Sequence, residues 1–122
     1  MADSTLFHID TIVVDGQAVA FEDGTGMLTG AHRYEHDTVV SASGDDFARR
    51  RRVPTTLRLR LQFTGEQSPE RLAAVADVQI TARDSQTGRR ALLTKCRFNT
   101  MGDLGGGAVD VTYGVLAPVQ WL

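Results

Sequence analysis

Residues 55–63 read TTLRLRLQF. Thr55, Leu57, Leu59, Leu61 and Phe63 fall on one side of an extended chain, and Thr56, Arg58, Arg60 and Gln62 on the other. A helix would scatter these leucines around its axis, so the stretch demands a strand with one buried and one wet face. Pro54 precedes it, where a proline costs the sheet no ladder hydrogen bond. Such a strand needs antiparallel neighbours with the same alternation, and the rest of the chain is read for them.

TIVVDGQAVAF (11–21) supplies a hairpin, with Asp15-Gly16 as the two central residues of a type I′ turn. That register sets Ile12 opposite Val19 and Val14 opposite Gln17, and puts Ile12, Val14, Val19 and Phe21 on the core face. Val78, Ile80 and Ala82 alternate with Gln79, Thr81 and Arg83. Asp84–Gly88 turns the chain into a return strand, with Leu92, Thr94, Cys96 and Phe98 expected on one face and Leu93, Lys95 and Arg97 on the other. Asn99–Gly107 reads as a Gly-rich loop, and Val109, Val111, Tyr113 and Val115 as a last strand. Ser68-Pro69-Glu70 opens a helix of about two turns, with Ser68 as cap and Leu72, Val75 and Ala76 as its apolar stripe. Residues 22–48 are read as a long loop holding one short strand at Thr38–Ser41, and loops of this length in small domains usually carry function. About six strands and one helix result.

The chain has 122 residues, one domain's worth, and a net charge of −2 that offers no global attraction to nucleic acid or anionic membrane. Cys96 is the single cysteine, which excludes an intrachain disulfide and points to a reducing compartment. The N-terminal residues lack the basic and apolar regions of a signal peptide, and no apolar run approaches the ~18 residues of a membrane helix.

Few residues carry a chemistry. His32 and His36 have the spacing of a helical metal pair, but no helix and no third ligand accompany them, so surface histidines are expected. Cys96 sits on an apolar strand face and reads as a buried small hydrophobe rather than a nucleophile. Gly24-Thr25-Gly26 and Gly105-Gly106-Gly107 lack the elements of a phosphate cradle. No catalytic, metal or cofactor constellation stands out, so neither an enzyme nor a cofactor is expected. Arg49-Arg50-Arg51-Arg52 is the strongest polar feature. Its readings are contact with nucleic-acid phosphates, a solvated loop, or contact with an acidic patch on another subunit. Asp45, Asp46, Glu35 and Asp37 give the same segment the opposite sign, as head-to-tail subunit contacts require.

The order of these elements resembles the small tail tube proteins of Mu-like contractile-tailed bacteriophages. The resemblance rests on the hairpin at Val14–Val19, Arg52-Val53-Pro54 leading into Thr55–Phe63, the helix with Leu72, the strand Asp77–Ile80, Thr87-Gly88, the return strand to Phe98, and the strand Ala108–Leu116. It departs from the family in the weight of the arginine run, in Cys96 where a small alanine is common, and in the triple glycine. It implies a mainly β fold: a β-sandwich or barrel of two packed antiparallel sheets with one short flanking helix at about residues 69–76. The whole of 1–122 would be one domain with a long interaction loop at about 22–54.

The function implied is structural: a virion protein, assembled in the host bacterial cytoplasm, forming stacked hexameric rings around a channel for DNA. Implied partners are further copies of the chain, the tail sheath protein, the baseplate or tube initiator, the tape measure protein, and DNA in transit, without a membrane. The expected subunit interface comprises Asp45, Asp46, Arg49, Arg50, Arg51, Arg52, Val53, Trp121 and Leu122, with the arm 1–8 as a further candidate. The arginines are expected to be paired rather than to line the channel, because strong phosphate binding would stall DNA. The alternatives are an inner tube protein of a type VI-like system, a nucleic-acid-binding β-barrel using Arg49–Arg52, Arg58 and Arg60, and a small-ligand barrel or enzyme.

Overall fold

The computed structural model describes residues 5–65 and 67–122. The elements run β1 (Thr11–Val14), β2 (Gln17–Ala18), β3 (Met27–Thr29), β4 (Tyr34–Val40), β5 (Asp46–Arg52), β6 (Thr55–Gln62), α1 (Pro69–Ala73), β7 (Val78–Arg83), β8 (Arg90–Met101), β9 (Ala108–Val115) and β10 (Gln120–Trp121). The protein is mainly β, with two antiparallel sheets and one short helix. The large sheet is ordered β2-β1-β7-β8-β9-β6-β3, with β10 added to β8, and β4-β5 form a separate two-stranded sheet.

Asp15 and Gly16 take φ of 50° and 81°, the left-handed pair that a two-residue hairpin turn requires. Val14 then faces Gln17, and Val19 N–H donates to the Ile12 carbonyl, as the sequence predicts. The chain beyond β2 next reaches β6. Phe21 bridges Leu61, and the N–H groups of Glu22 and Gln62 donate to the carbonyls of Arg60 and Ala20. This contact joins the two ends of the large sheet into a barrel.

The leucines of β6 fill that barrel. Leu57, Leu59 and Leu61 are fully buried with Ile12, Ile80, Leu93, Val109 and Val111. Burying each such side chain stabilises the fold by about 1.5–3 kcal/mol. The outward residues Arg58, Arg60 and Gln62 are exposed, so the predicted alternation holds throughout.

The return strand departs from its predicted phase. Ala91, Leu93 and Cys96 are buried, whereas Leu92 is half-buried on the other side and opposes Gln120 of β10. Val78 pairs with Cys96 but Ile80 with Leu93, so β8 inserts one extra residue there. This bulge shifts the inward set from odd to even numbers between Leu93 and Cys96.

The helix is shorter than expected, spanning Pro69–Ala73, and Ser68 makes no side-chain cap. Leu72 and Val75 are half-buried against the barrel core, while Ala76 is exposed. The expected loop from 22 to 48 is about half strand: β3 joins β6, and β4 and the start of β5 lie in the same segment. The glycine loop is also shorter, because β8 continues to Met101.

Candidate assembly surface

β4 and β5 leave the barrel as a ribbon that, among the described residues, pairs only with itself, from Tyr34 opposite Arg52 to Val40 opposite Asp46. Two hydrogen bonds to backbone carbonyls fix its base. Thr55 Oγ1 donates to the Gly30 carbonyl at 2.9 Å, and Val53 N–H donates to the Arg33 carbonyl at 2.6 Å. Gly30 and Arg33 both adopt positive φ, 74° and 65°. A Cβ at Gly30 would overlap the Pro54 carbonyl oxygen, so only glycine lets the two segments approach.

The strand geometry resolves the crowding of the four arginines by sending alternate side chains to opposite faces. On one face the guanidinium of Arg51 meets Glu35 at 2.6 Å and Asp37 at 3.6 Å, and Arg49 meets Asp37 at 3.6 Å. His32 completes this ladder, 2.9 Å from Glu35. The hydrogen bonds from His32 and Arg51 hold the Glu35 carboxyl below its ordinary pKa. On the other face Arg50 lies 3.8 Å from the ring centre of Tyr34, and Arg52 and His36 share that side. Glu35 and Asp37 therefore pair with two of the four arginines within the chain. His32 and His36 belong to this ribbon rather than to a helix.

The far end of the ribbon is apolar and uncovered. Phe47 is 61% exposed and Val40 80%, with Val39 facing Phe47 across the strands. Asp45 lies in the tip turn and Asp46 begins β5, both exposed. A lone two-stranded ribbon is marginal in water, and an apolar tip adds a further cost unless it is covered.

Away from the ribbon tip, β10 pairs Trp121 with Ala91 of β8. Phe7 meets the Trp121 ring edge-on at 5.5 Å, and Arg89 lies 4.8 Å from its centre. Trp121 is thus partly packed on its own domain and remains 42% exposed. Leu122 N–H donates to the Arg90 carbonyl, while its side chain is exposed. Within the candidate arm 1–8, residues 1–4 lie outside the described residues.

The structure also brings together residues that sequence reasoning passed over. Asp84 is fully buried, and its carboxylate accepts the N–H of His8 at 3.2 Å and of Gln86 at 3.0 Å. Burial opposes its charge, but these N–H bonds prevail and lower its pKa. Asp10 accepts the Ser85 N–H and hydroxyl, and the His8 ring meets Asp23 at 3.0 Å. The legible signal was Asp84 at the head of a turn, where an aspartate commonly binds the N–H two residues on. Cys96 is buried, its pKa pushed up to about 11 by desolvation. Among the described residues no group of three or more His, Cys, Asp or Glu could hold a metal ion, and no helix is long and apolar enough to cross a membrane.

A closed antiparallel barrel with one projecting ribbon and one short helix defines the structural class. Solved structures from contractile injection systems share this fold. The chain is similar to one in the structure of an extracellular contractile injection system, PVC sheath/tube terminator in extended state, at TM-score 0.61 and 9% identity, covering 100% of this chain and 98% of that one. It is similar to a chain of the PVC sheath-tube complex in extended state at TM-score 0.57 and 11% identity, over 92% and 86%. A chain of the anti-feeding prophage cap, the AFP tube terminating cap, gives TM-score 0.55 and 12% identity, over 100% and 95%. No family model and no curated protein sequence matches the chain. The likeness is one of fold, and it agrees with the fold that the family resemblance implies.

Proposed function

We propose that the protein is a structural subunit of a contractile tail, one that closes into a ring and contributes to the tail tube. The carrying observation is the β4–β5 ribbon, which leaves the barrel with its apolar tip uncovered. The end-to-end likeness to chains of sheath-tube and terminator structures supports the same reading. Ring contacts would be head to tail and closed by rotation, and ring-on-ring contacts open, so that rings stack into a tube. The channel would carry DNA in a phage tail, and the outer wall would meet the sheath protein. The initiator and tape measure protein would be partners at the ends and in the lumen. Asp45, Asp46, Arg50, Arg52, Val53, Trp121 and Leu122 are the proposed contact residues, with Arg49 and Arg51 stiffening the ribbon through its ion ladder.

A second reading is favoured by two of the neighbours, which are terminator and cap structures. Here the protein would form one ring that ends a tube. Electron microscopy of the purified protein over a concentration series separates the two. Stacked tubes of uniform diameter are the tube subunit's outcome. Discrete rings that bind the ends of added tubes are the terminator's. A monomer at every concentration that also fails to join rings when co-expressed with tail proteins overturns both.

A further inference from the structure

We propose that the ribbon tip of one copy seats in the groove between α1 and the β1–β2 hairpin of the next copy. This inference rests on the ring reading and names the surface that receives the ribbon.

The groove lies at one mouth of the barrel and encloses about 580 Å³. Its apolar wall is made by Val14, Val19, Leu61, Leu72, Val75 and Tyr113. A space of this size accepts several side chains. The donor is equally defined. Phe47 and Val39 are the exposed apolar pair on one face of the ribbon's far end.

Position argues for a second copy as the occupant. The ribbon springs from Pro54 and Thr55, at the start of β6. The groove is lined by Leu61 and Gln62, at the end of β6. Eight residues of extended strand separate the two by about 25 Å. The root of the ribbon and the groove therefore lie near opposite ends of β6. Two unlike surfaces so arranged make a head-to-tail contact, which repeats from copy to copy.

Charge agrees with this docking. Asp45 and Asp46 flank the apolar tip, and Arg71 stands at the groove rim. An apolar anchor in a pocket with opposite charges at its margin sets both affinity and register.

The test is a full-length chain carrying Phe47→Cys with Leu72→Cys, oxidised under assembling conditions and read on a non-reducing gel. A ladder of cross-linked multimers is expected, with neither single variant giving one. Rings or tubes without a ladder overturn the groove contact and leave the ring reading standing. Absence of both particles and cross-links overturns the groove contact and the ring reading together. Because Phe47→Cys weakens the anchor it reports, a charge exchange supplies an independent measurement. Asp46→Lys and Arg71→Glu singly should raise the assembly concentration at least about threefold, and the double variant should restore it. Singles without effect, or a double variant no better than the singles, overturn the contact.

Discussion

The Pro54 carbonyl oxygen occupies the space that a side chain at Gly30 would need. This contact joins the start of β6 to the turn that enters β4, and so sets the angle at which the ribbon leaves the barrel. Gly30→Ala meets both that oxygen and a φ of +74°. A loss of about 1–3 kcal/mol is expected in urea unfolding. Gly44, at the ribbon tip, has φ +94° with nothing within 4 Å of its missing Cβ. Gly44→Ala should cost only about 1 kcal/mol, the penalty of the backbone angle alone. Equal costs at the two positions would remove the Pro54 contact as the cause.

The N-terminal arm should respond to pH in two opposite senses. The His8 pKa is raised above 6.5, chiefly by its hydrogen bond to Asp23. Protonation therefore favours the docked arm: this contribution is complete below 6.5 and is lost as pH rises through the folded value. Asp84 and Asp10 behave inversely. Desolvation raises both, but their hydrogen bonds win and lower them. Their contribution is present above the ordinary value of 3.8 and is lost as pH falls through the folded one. Trp121 is the chain's single tryptophan and touches Phe7 of the arm, so its fluorescence reports docking. A spectral change is expected as pH rises above 6.5 through the raised His8 titration, and His8→Gln should abolish it. An unchanged titration in that variant would assign the signal elsewhere.

Asp84→Asn tests the other side of the same arm. An amide keeps the shape but loses the charge that the N–H groups of His8 and Gln86 solvate. The melting temperature should fall by several degrees at pH 7, and the difference from the parent should narrow as the pH approaches 3. A constant difference across that range would show that packing, not charge, holds the turn.

What the sequence discloses is local, and what it hides depends on a partner strand. The β6 alternation and the Asp15-Gly16 turn need only their own residues to be read. The bulge between Leu93 and Cys96 does not, because an extra residue in β8 has meaning only opposite β7. The ribbon was hidden for a different reason. Glu35, Asp37, Arg49 and Arg51 share one of its faces, and apolar periodicity cannot detect a strand whose inner face is charged. A usable trace was present: Tyr-Glu-His-Asp precedes the Ser-Gly turn and the arginine run follows it, in antiparallel order. The interface residues named from sequence nearly all lie on the ribbon or β10, but the groove required the fold to bring α1 beside the first hairpin.

The ion ladder should matter little for folding. Its side chains are 38–71% exposed, so water and salt screen them. Asp37→Asn should change stability by no more than about 0.5 kcal/mol, and 1 M salt should erase even that. Thermal unfolding at low and high salt measures it. A larger, salt-resistant loss would mean that the ribbon folds cooperatively with the barrel through these pairs.

Cys96 offers a sharp check on the position of the bulge. The even-numbered phase turns its thiol inward, where it donates to the Leu93 carbonyl at 3.5 Å. With the pKa pushed up to about 11, hardly any thiolate exists at pH 8. An alkylating reagent should therefore leave the folded protein unmodified at pH 8 and label it fully in urea. Had β8 kept one phase from Leu93 onward, Cys96 would lie outside the barrel with an ordinary thiol. Labelling of the native protein within minutes would restore that register and remove the bulge.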